Sequence, residues 1–149
     1  MVEINNLTAF RIKKSFFAEA ARIVLSGEGG KIDKKRGGDL SIAFVGPARI
    51  REQNRIYRKK NSTTDVLSFS EKGNSKTGFC GGGLGEIIIC PSQVKKNARI
   101  LKTPFEKELT LCLIHGILHI LGLDHERSKK EKNQMEQKQN YYLGKIFKN

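Results

Sequence analysis

The sequence predicts a single mixed domain, α+β or α/β, and three observations carry that reading. Its 149 residues suit one domain spanning 1–149. Apolar residues alternate between helical spacing and short branched or aromatic runs. Predicted helices stand both between the strands and after the last of them. A chain of this size can bury roughly 70% of its unfolded surface, so it needs neither a disulfide nor a metal simply to fold.

Val2–Ile4 is short and reads as an edge strand. From Thr8 to Leu25, Phe10, Phe16, Phe17, Ala20, Ile23 and Val24 recur at helical spacing before a GEGG stop, which predicts a helix. After the basic loop KIDKKRGG, Leu40–Val45 has the branched and aromatic content of a strand. Pro47 suits the first turn of a helix, where its missing N–H costs nothing. That helix runs to about Tyr57, with Ile50, Ile56 and Tyr57 as apolar contacts. Val66–Phe69 and Leu84–Cys90 read as core strands. The segment between them, EKGNSKTGFCGGG, lacks the G-K-[ST] ending of a Walker loop and reads as a hairpin connection. Pro91 opens a helix reaching Ile100. A long helix follows from about Pro104 to Leu121, and Gly122 is placed to end it. Ser128-Lys-Lys-Glu131 matches a capping box, so the last helix begins near Ser128 and buries Met135, Tyr142, Leu143 and Ile146.

The formal charge is +13, from 28 Lys+Arg against 15 Asp+Glu. Such an excess favours a polyanionic partner, nucleic acid or an acidic membrane face, without choosing between them. The longest apolar-rich stretch, Leu109–Leu123, is interrupted by Thr, Gly and two His. It falls short of the ~20 apolar residues of a spanning helix. Cys80, Cys90 and Cys112 are odd in number and form no C-x-x-C pair, which fits reduced thiols. The start, MVEINNLTAF, lacks the basic region and apolar core of a signal peptide. A soluble cytoplasmic protein is therefore expected.

All three histidines of the chain fall in one segment, His115-Gly-Ile-Leu-His119-Ile-Leu-Gly122-Leu-Asp124-His125. Residues four apart share a helix face, with Cβ atoms ~5–6 Å apart, so His115 and His119 can converge on one ion. Glycine adopts left-handed angles cheaply, so Gly122 lets the chain reverse and return His125 to the same ion. Three neutral nitrogen ligands with an open fourth position describe a catalytic zinc. Nickel or copper would also accept three imidazoles. A single histidine in an apolar helix is more often a satisfied core residue than a ligand. Packing, however, gives no reason for all three to stand at H-x-x-x-H-x-x-G-x-x-H spacing. The metzincin peptidases share this spacing but carry a catalytic glutamate where Gly116 stands. Without that general base, peptide hydrolysis of the metzincin kind is disfavoured. Asp124 is the nearest replacement carboxylate, as a base or as an orienter of a ligand N–H. Glu126 and Glu86 are weaker candidates.

The histidine run resembles the signature of the YbeY family of bacterial metallo-endoribonucleases. Upstream, Asn54-Arg-Ile-Tyr57-Arg58-Lys-Lys-Asn-Ser-Thr-Thr64-Asp65-Val66-Leu67-Ser68-Phe69 is similar to that family's N-x-x-Y/W-R-x-K-[DN]-x-x-T-D-V-L-S-F motif. Leu84-Gly85-Glu86-Ile87-Ile88-Ile89 resembles its L-G-D-I-x-I strand. The pieces stand in family order over residues 40 to 126. Ser62-Thr63 where a proline often precedes the threonine, Glu86 for aspartate and Leu123 for tyrosine depart from the pattern, and none removes a presumed ligand. The resemblance implies an α+β fold, a small mixed β-sheet packed with helices around a metzincin-like (zincin-like) core, with HxxxH on a long central helix. It implies one Zn2+ ion on His115, His119 and His125, with Arg58 as the functional arginine.

The implied substrate is single-stranded RNA cut internally. The implied roles are maturation of the small-subunit (16S) ribosomal RNA 3′ end and ribosome quality control, with ribosomal RNA and ribosomal or small-subunit proteins, and no membrane, as partners. Residues 31–60 hold ten basic and three acidic residues, a net +7, and 126–149 hold seven and three, a net +4. Lysine and arginine on phosphates supply salt-sensitive affinity. Tyr57, Phe79, Tyr141 and Tyr142 are candidates for stacking on bases. A guanidinium can grip two non-bridging oxygens at once, a fork that Lys59 and Lys60 lack. The rival readings are a non-catalytic RNA-binding assembly factor with a structural metal, and a metalloprotease.

Overall fold

The computed structural model of the chain describes residues 1–29, 39–70, 83–124 and 126–148. In chain order its elements are β1 (Val2–Asn6), α1 (Lys14–Gly27), β2 (Leu40–Phe44), α2 (Pro47–Arg58) and β3 (Val66–Ser70). They continue with β4 (Gly85–Ile89), α3 (Pro91–Leu101), α4 (Phe105–Ile120) and α5 (Lys129–Ile146). The result is α+β, with a four-stranded mixed sheet in the order β1-β2-β4-β3. β1 and β2, and β2 and β4, run parallel, whereas β3 runs antiparallel to β4 along the edge.

Strand alternation divides the core. Leu40, Ile42 and Phe44 of β2 and Ile87 and Ile89 of β4 face a cluster with Phe17, Ala20 and Val24 of α1 and with Leu113, Ile114 and Ile117 of α4. The opposite face, with Leu67, Phe69 and Ile88, is covered by Ile50 and the half-buried Tyr57 of α2. α4 is thus the central helix, packed between the sheet and the helices α1, α3 and α5.

Two expectations change. The first helix begins at Lys14, not Thr8, because Asn6 and Thr8 bind the intervening backbone themselves. Asn6 Oδ1 accepts from Thr8 N (3.0 Å), Thr8 Oγ1 accepts from Phe10 N (3.2 Å), and Asn6 Nδ2 donates to the Phe10 carbonyl (2.7 Å). Short polar side chains that satisfy nearby backbone groups compete with helix formation. In α2, Ile56 is exposed, and Asn54, not Ile56, joins Ile50 in the interior. The capping residue is as expected: Ser128 Oγ accepts from Glu131 N at 3.1 Å. The Glu131 carboxylate turns to Arg127 at 3.5 Å. The basic loop 31–38 and most of the glycine-rich connection, 71–82, lie outside the described residues. Among the described residues no helix is long and apolar enough to cross a membrane.

Candidate metal centre and cleft

Half of α4 is buried, from Leu109 and Thr110 through Cys112, Leu113 and Ile114 to Gly116, Ile117 and Leu118. The half-buried positions Leu111, His115 and His119 recur every four residues, so they form one stripe along the C-terminal half of the helix, between buried positions. That stripe opens on a cleft of about 600 Å³, between α4, the edge strand β3 and the end of α2. The imidazoles of His115 and His119 stand with ring centroids 6.2 Å apart. Two imidazoles at this spacing on one helix face could both contribute to holding an ion.

Gly122 ends the helix as its sequence position predicts. At φ +108° it takes a conformation that L side chains rarely adopt. Its N–H bonds to the His119 carbonyl (3.1 Å) and the Leu123 N–H to the Leu118 carbonyl (3.1 Å), a Schellman closure. The chain then returns toward the cleft, whose wall includes Glu126. Asp124 is half-buried and shapes this turn, its Oδ1 accepting from Glu126 N at 2.9 Å. His125, the third predicted ligand, lies outside the described residues. Among the described residues, no group of three or more His, Cys, Asp and Glu side chains is arranged to hold a metal.

Arg58 closes the last turn of α2 and lines the same cleft. After it, Lys59 is left-handed at φ 57° and reverses the chain. The buried Asn54 holds the loop that follows. Its side-chain amide donates to the Ser62 carbonyl (3.0 Å), and its own carbonyl accepts from Lys60 N (3.2 Å). Residues 62–65 therefore run along the cleft into β3. Asp65 ties them to α4 and β4. Its Oδ1 accepts from Val66 N (2.8 Å), its carbonyl from Cys90 N (2.8 Å), and its Oδ2 lies 3.7 Å from Cys112 Sγ. Burial, reinforced by the Asp65 charge, pushes the Cys112 thiol well above its ordinary pKa, so it stays protonated.

The other carboxylates separate by position. Glu86 lies on the sheet face opposite α4, alternating with Ile87, and burial raises its pKa against the opposing pull of Arg49. Gly116 faces β4: a Cβ there would meet three Ile87 side-chain atoms at 3.1, 3.1 and 3.3 Å. The position of the metzincin glutamate is therefore a close helix–sheet contact. Of the aromatic candidates, Tyr142 is buried with its hydroxyl donating to Glu28 Oε2 at 2.5 Å, and Tyr57 packs on Phe69 at 5.4 Å. Tyr141 is exposed. Phe79 lies outside the described residues.

No sequence motif marks Gln139, whose side-chain nitrogen lies 3.2 Å from His115 Nδ1. Asp65 had a signal in the T-D-V-L-S-F motif, whereas Gln139 had none, being one of many polar residues on α5. The donors fit a metal. Two imidazoles reach a polar cleft, and an acceptor at Nδ1 of one ring would leave its Nε2 to ligate.

A family model described as Endoribonuclease YbeY matches residues 3–146. Endoribonuclease YbeY of Aquifex aeolicus is 37% identical over 74% of this chain and 71% of its own length. Endoribonuclease YbeY of Thermotoga maritima is 35% identical over 85% of this chain and 88% of its own. Its counterpart from Geobacillus thermodenitrificans is 36% identical over 87% and 83%. The solution structure of TM1509 from Thermotoga maritima superposes with a TM-score of 0.65 at 29% identity, covering 99% of this chain and 89% of that one.

Proposed function

This chain belongs to the Endoribonuclease YbeY family, and on that premise we propose that it cleaves single-stranded RNA internally with one zinc ion held by His115, His119 and His125. The observation that carries the reading is the meeting of His115, His119 and Arg58 in one cleft, although Arg58 is separated from the histidines by more than fifty residues of sequence. When bound, zinc supplies Lewis acidity toward a phosphoryl oxygen.

The chain's own residues perform the remaining tasks. Arg58 offers a planar fork to two non-bridging oxygens and stabilises the charge that develops there during hydrolysis. Lys60, beside it on the cleft wall, draws in the phosphate backbone. The Asn54 bonds hold the 60–62 backbone, so Lys60 is set on a fixed loop beside Arg58 at the end of α2. Asp124, through the turn it makes with Glu126, orients the segment of the third ligand. Glu126, on the cleft wall, is the carboxylate better placed to take a proton. The family likeness supports ribosomal RNA as the natural substrate, small-subunit 3′-end maturation and ribosome quality control as the process, ribosomal proteins as partners and the cytoplasm as the location.

The test uses wild-type, His115→Ala and Arg58→Ala proteins purified identically, assayed on single-stranded and duplex RNA. Internal cuts by the wild type in the single strand alone, lost in both variants, are the expected result. Equal cutting by all three would assign the activity to a contaminant. RNA binding without cutting by any preparation would leave an assembly factor with a structural metal. A 2′,3′-cyclic phosphate product would show that the RNA's own 2′-hydroxyl attacks.

A further inference from the structure

α5 reaches the cleft from behind, and its placement is set by burial. Met135 and Tyr142 are 1% and 2% exposed and stand seven positions apart, two helical turns, so they mark the face of α5 turned to the core. Glu28, at the end of α1, fixes the same helix through Lys138 Nζ at 2.5 Å and the Tyr142 hydroxyl. Gln139 stands four residues after Met135 on that face, and its amide nitrogen lies 3.2 Å from His115 Nδ1, with the amide oxygen exchangeable into that place. A small second cavity of about 110 Å³ lies at the same junction, lined by His115, Lys132, Met135, Glu136 and Gln139.

A neutral imidazole carries its proton on one nitrogen and a lone pair on the other, so what binds Nδ1 decides what Nε2 can do. An amide presents a donor and an acceptor at equal reach, exchanged by a half-turn of the side chain. With its nitrogen toward Nδ1, the proton sits on Nε2 and that atom ligates nothing. With its oxygen toward Nδ1, the ring donates Nδ1–H and Nε2 offers a lone pair to the cleft.

We propose that Gln139 is the positioning residue of the metal centre: with its amide turned by a half-turn, its carbonyl oxygen accepts the Nδ1–H of His115, fixing the tautomer and ring orientation in which Nε2 binds the ion. The metal-binding part rests on the function proposed above; the tautomer part does not need the metal. An uncharged partner raises ligand basicity without adding a negative charge beside a cleft that must admit phosphate.

The experiment compares wild-type, Gln139→Leu, Gln139→Glu and His115→Ala proteins, each checked for an unchanged circular dichroism spectrum. Imidazole nitrogen NMR on metal-free protein at pH 8 reads the tautomer, and competition with a chromophoric chelator reads Zn2+ affinity. The wild type should carry the His115 proton on Nδ1. Gln139→Leu should lose that preference and bind Zn2+ about 10–100-fold more weakly. Gln139→Glu, still an acceptor, should restore both. A Gln139→Leu protein with the wild-type tautomer and Zn2+ affinity would overturn the assignment. Zn2+ affinity unchanged in His115→Ala would overturn the metal reading instead, and the NMR comparison would still decide what Gln139 does to the ring.

Discussion

Replacing Gly116 by alanine places a methyl group where three atoms of Ile87 already stand 3.1–3.3 Å away. On an unconstrained helix the change would stabilise by about 1 kcal/mol, because glycine is the poorer helix former. Here the added carbon must push Ile87 into a packed sheet face, and overpacking of a core costs about 1–3 kcal/mol. The balance is a loss of about 1 kcal/mol, roughly 2–4 °C in Tm for a chain of this size. Ile87→Val removes Cδ1 and with it one of the 3.1 Å contacts, at about 0.5–1.5 kcal/mol on its own. In that background Gly116→Ala should be cheaper by about 0.5–1 kcal/mol, a coupling that a double-mutant cycle in urea can resolve. Gly116→Ala stabilising by the full helix increment in both backgrounds would refute the close approach of α4 to β4. The same geometry sends a Gly116→Glu carboxylate against β4 and not into the cleft. That variant should be unstable and should cleave no casein.

Burial first, and then the bond to Glu28, raise the Tyr142 pKa above its ordinary value of 10. The folded state therefore keeps the proton longer than the unfolded one. Its contribution is complete below pH 10 and declines as pH rises above it, by up to about 1.4 kcal/mol per pH unit. Chemical denaturation between pH 9 and 11 should show that decline in the wild type and a shallower one in Tyr142→Phe; identical slopes would contradict it. Lys102 is left-handed at φ 56° and closes α3 with a Schellman pair. Lys102→Gly should raise stability by about 0.5–1 kcal/mol, the relief of left-handed strain less the entropy of a freer unfolded chain, and lower stability would refute it. Binding of a single-stranded RNA to a cleavage-deficient protein should weaken steeply with salt, with a slope of roughly −0.7 per phosphate contacted. A slope near zero would remove the cationic cleft from recognition.

Most of the fold was legible because local signals agreed with tertiary ones. Pro47 and Pro91 open α2 and α3, Gly122 ends α4, and Ser128 caps α5, each through chemistry that a short window contains. The start of α1 is not legible in the sequence because apolar spacing from Phe10 onward looks helical, while the Asn6 and Thr8 bonds that oppose it are specific to their geometry. The exposure of Ile56 and burial of Asn54 depend on the loop that Asn54 must hold, which lies in the following segment. In the site, the histidine spacing announced itself and the motif likeness drew in Arg58. Gln139 was invisible because its meaning comes from α5 lying across α4, a placement set by Met135, Tyr142 and the distant Glu28. Gly116 read as a missing base, and only the sheet shows it as a contact.

The central claim is tested most directly by measuring zinc per chain, by mass spectrometry of the metal, in wild-type and His119→Ala proteins whose RNA cleavage is followed in the same preparations. One zinc per wild-type chain, with both zinc and cleavage lost in His119→Ala, is the predicted result. Full retention of zinc by His119→Ala, or cleavage undiminished after its loss, would contradict it.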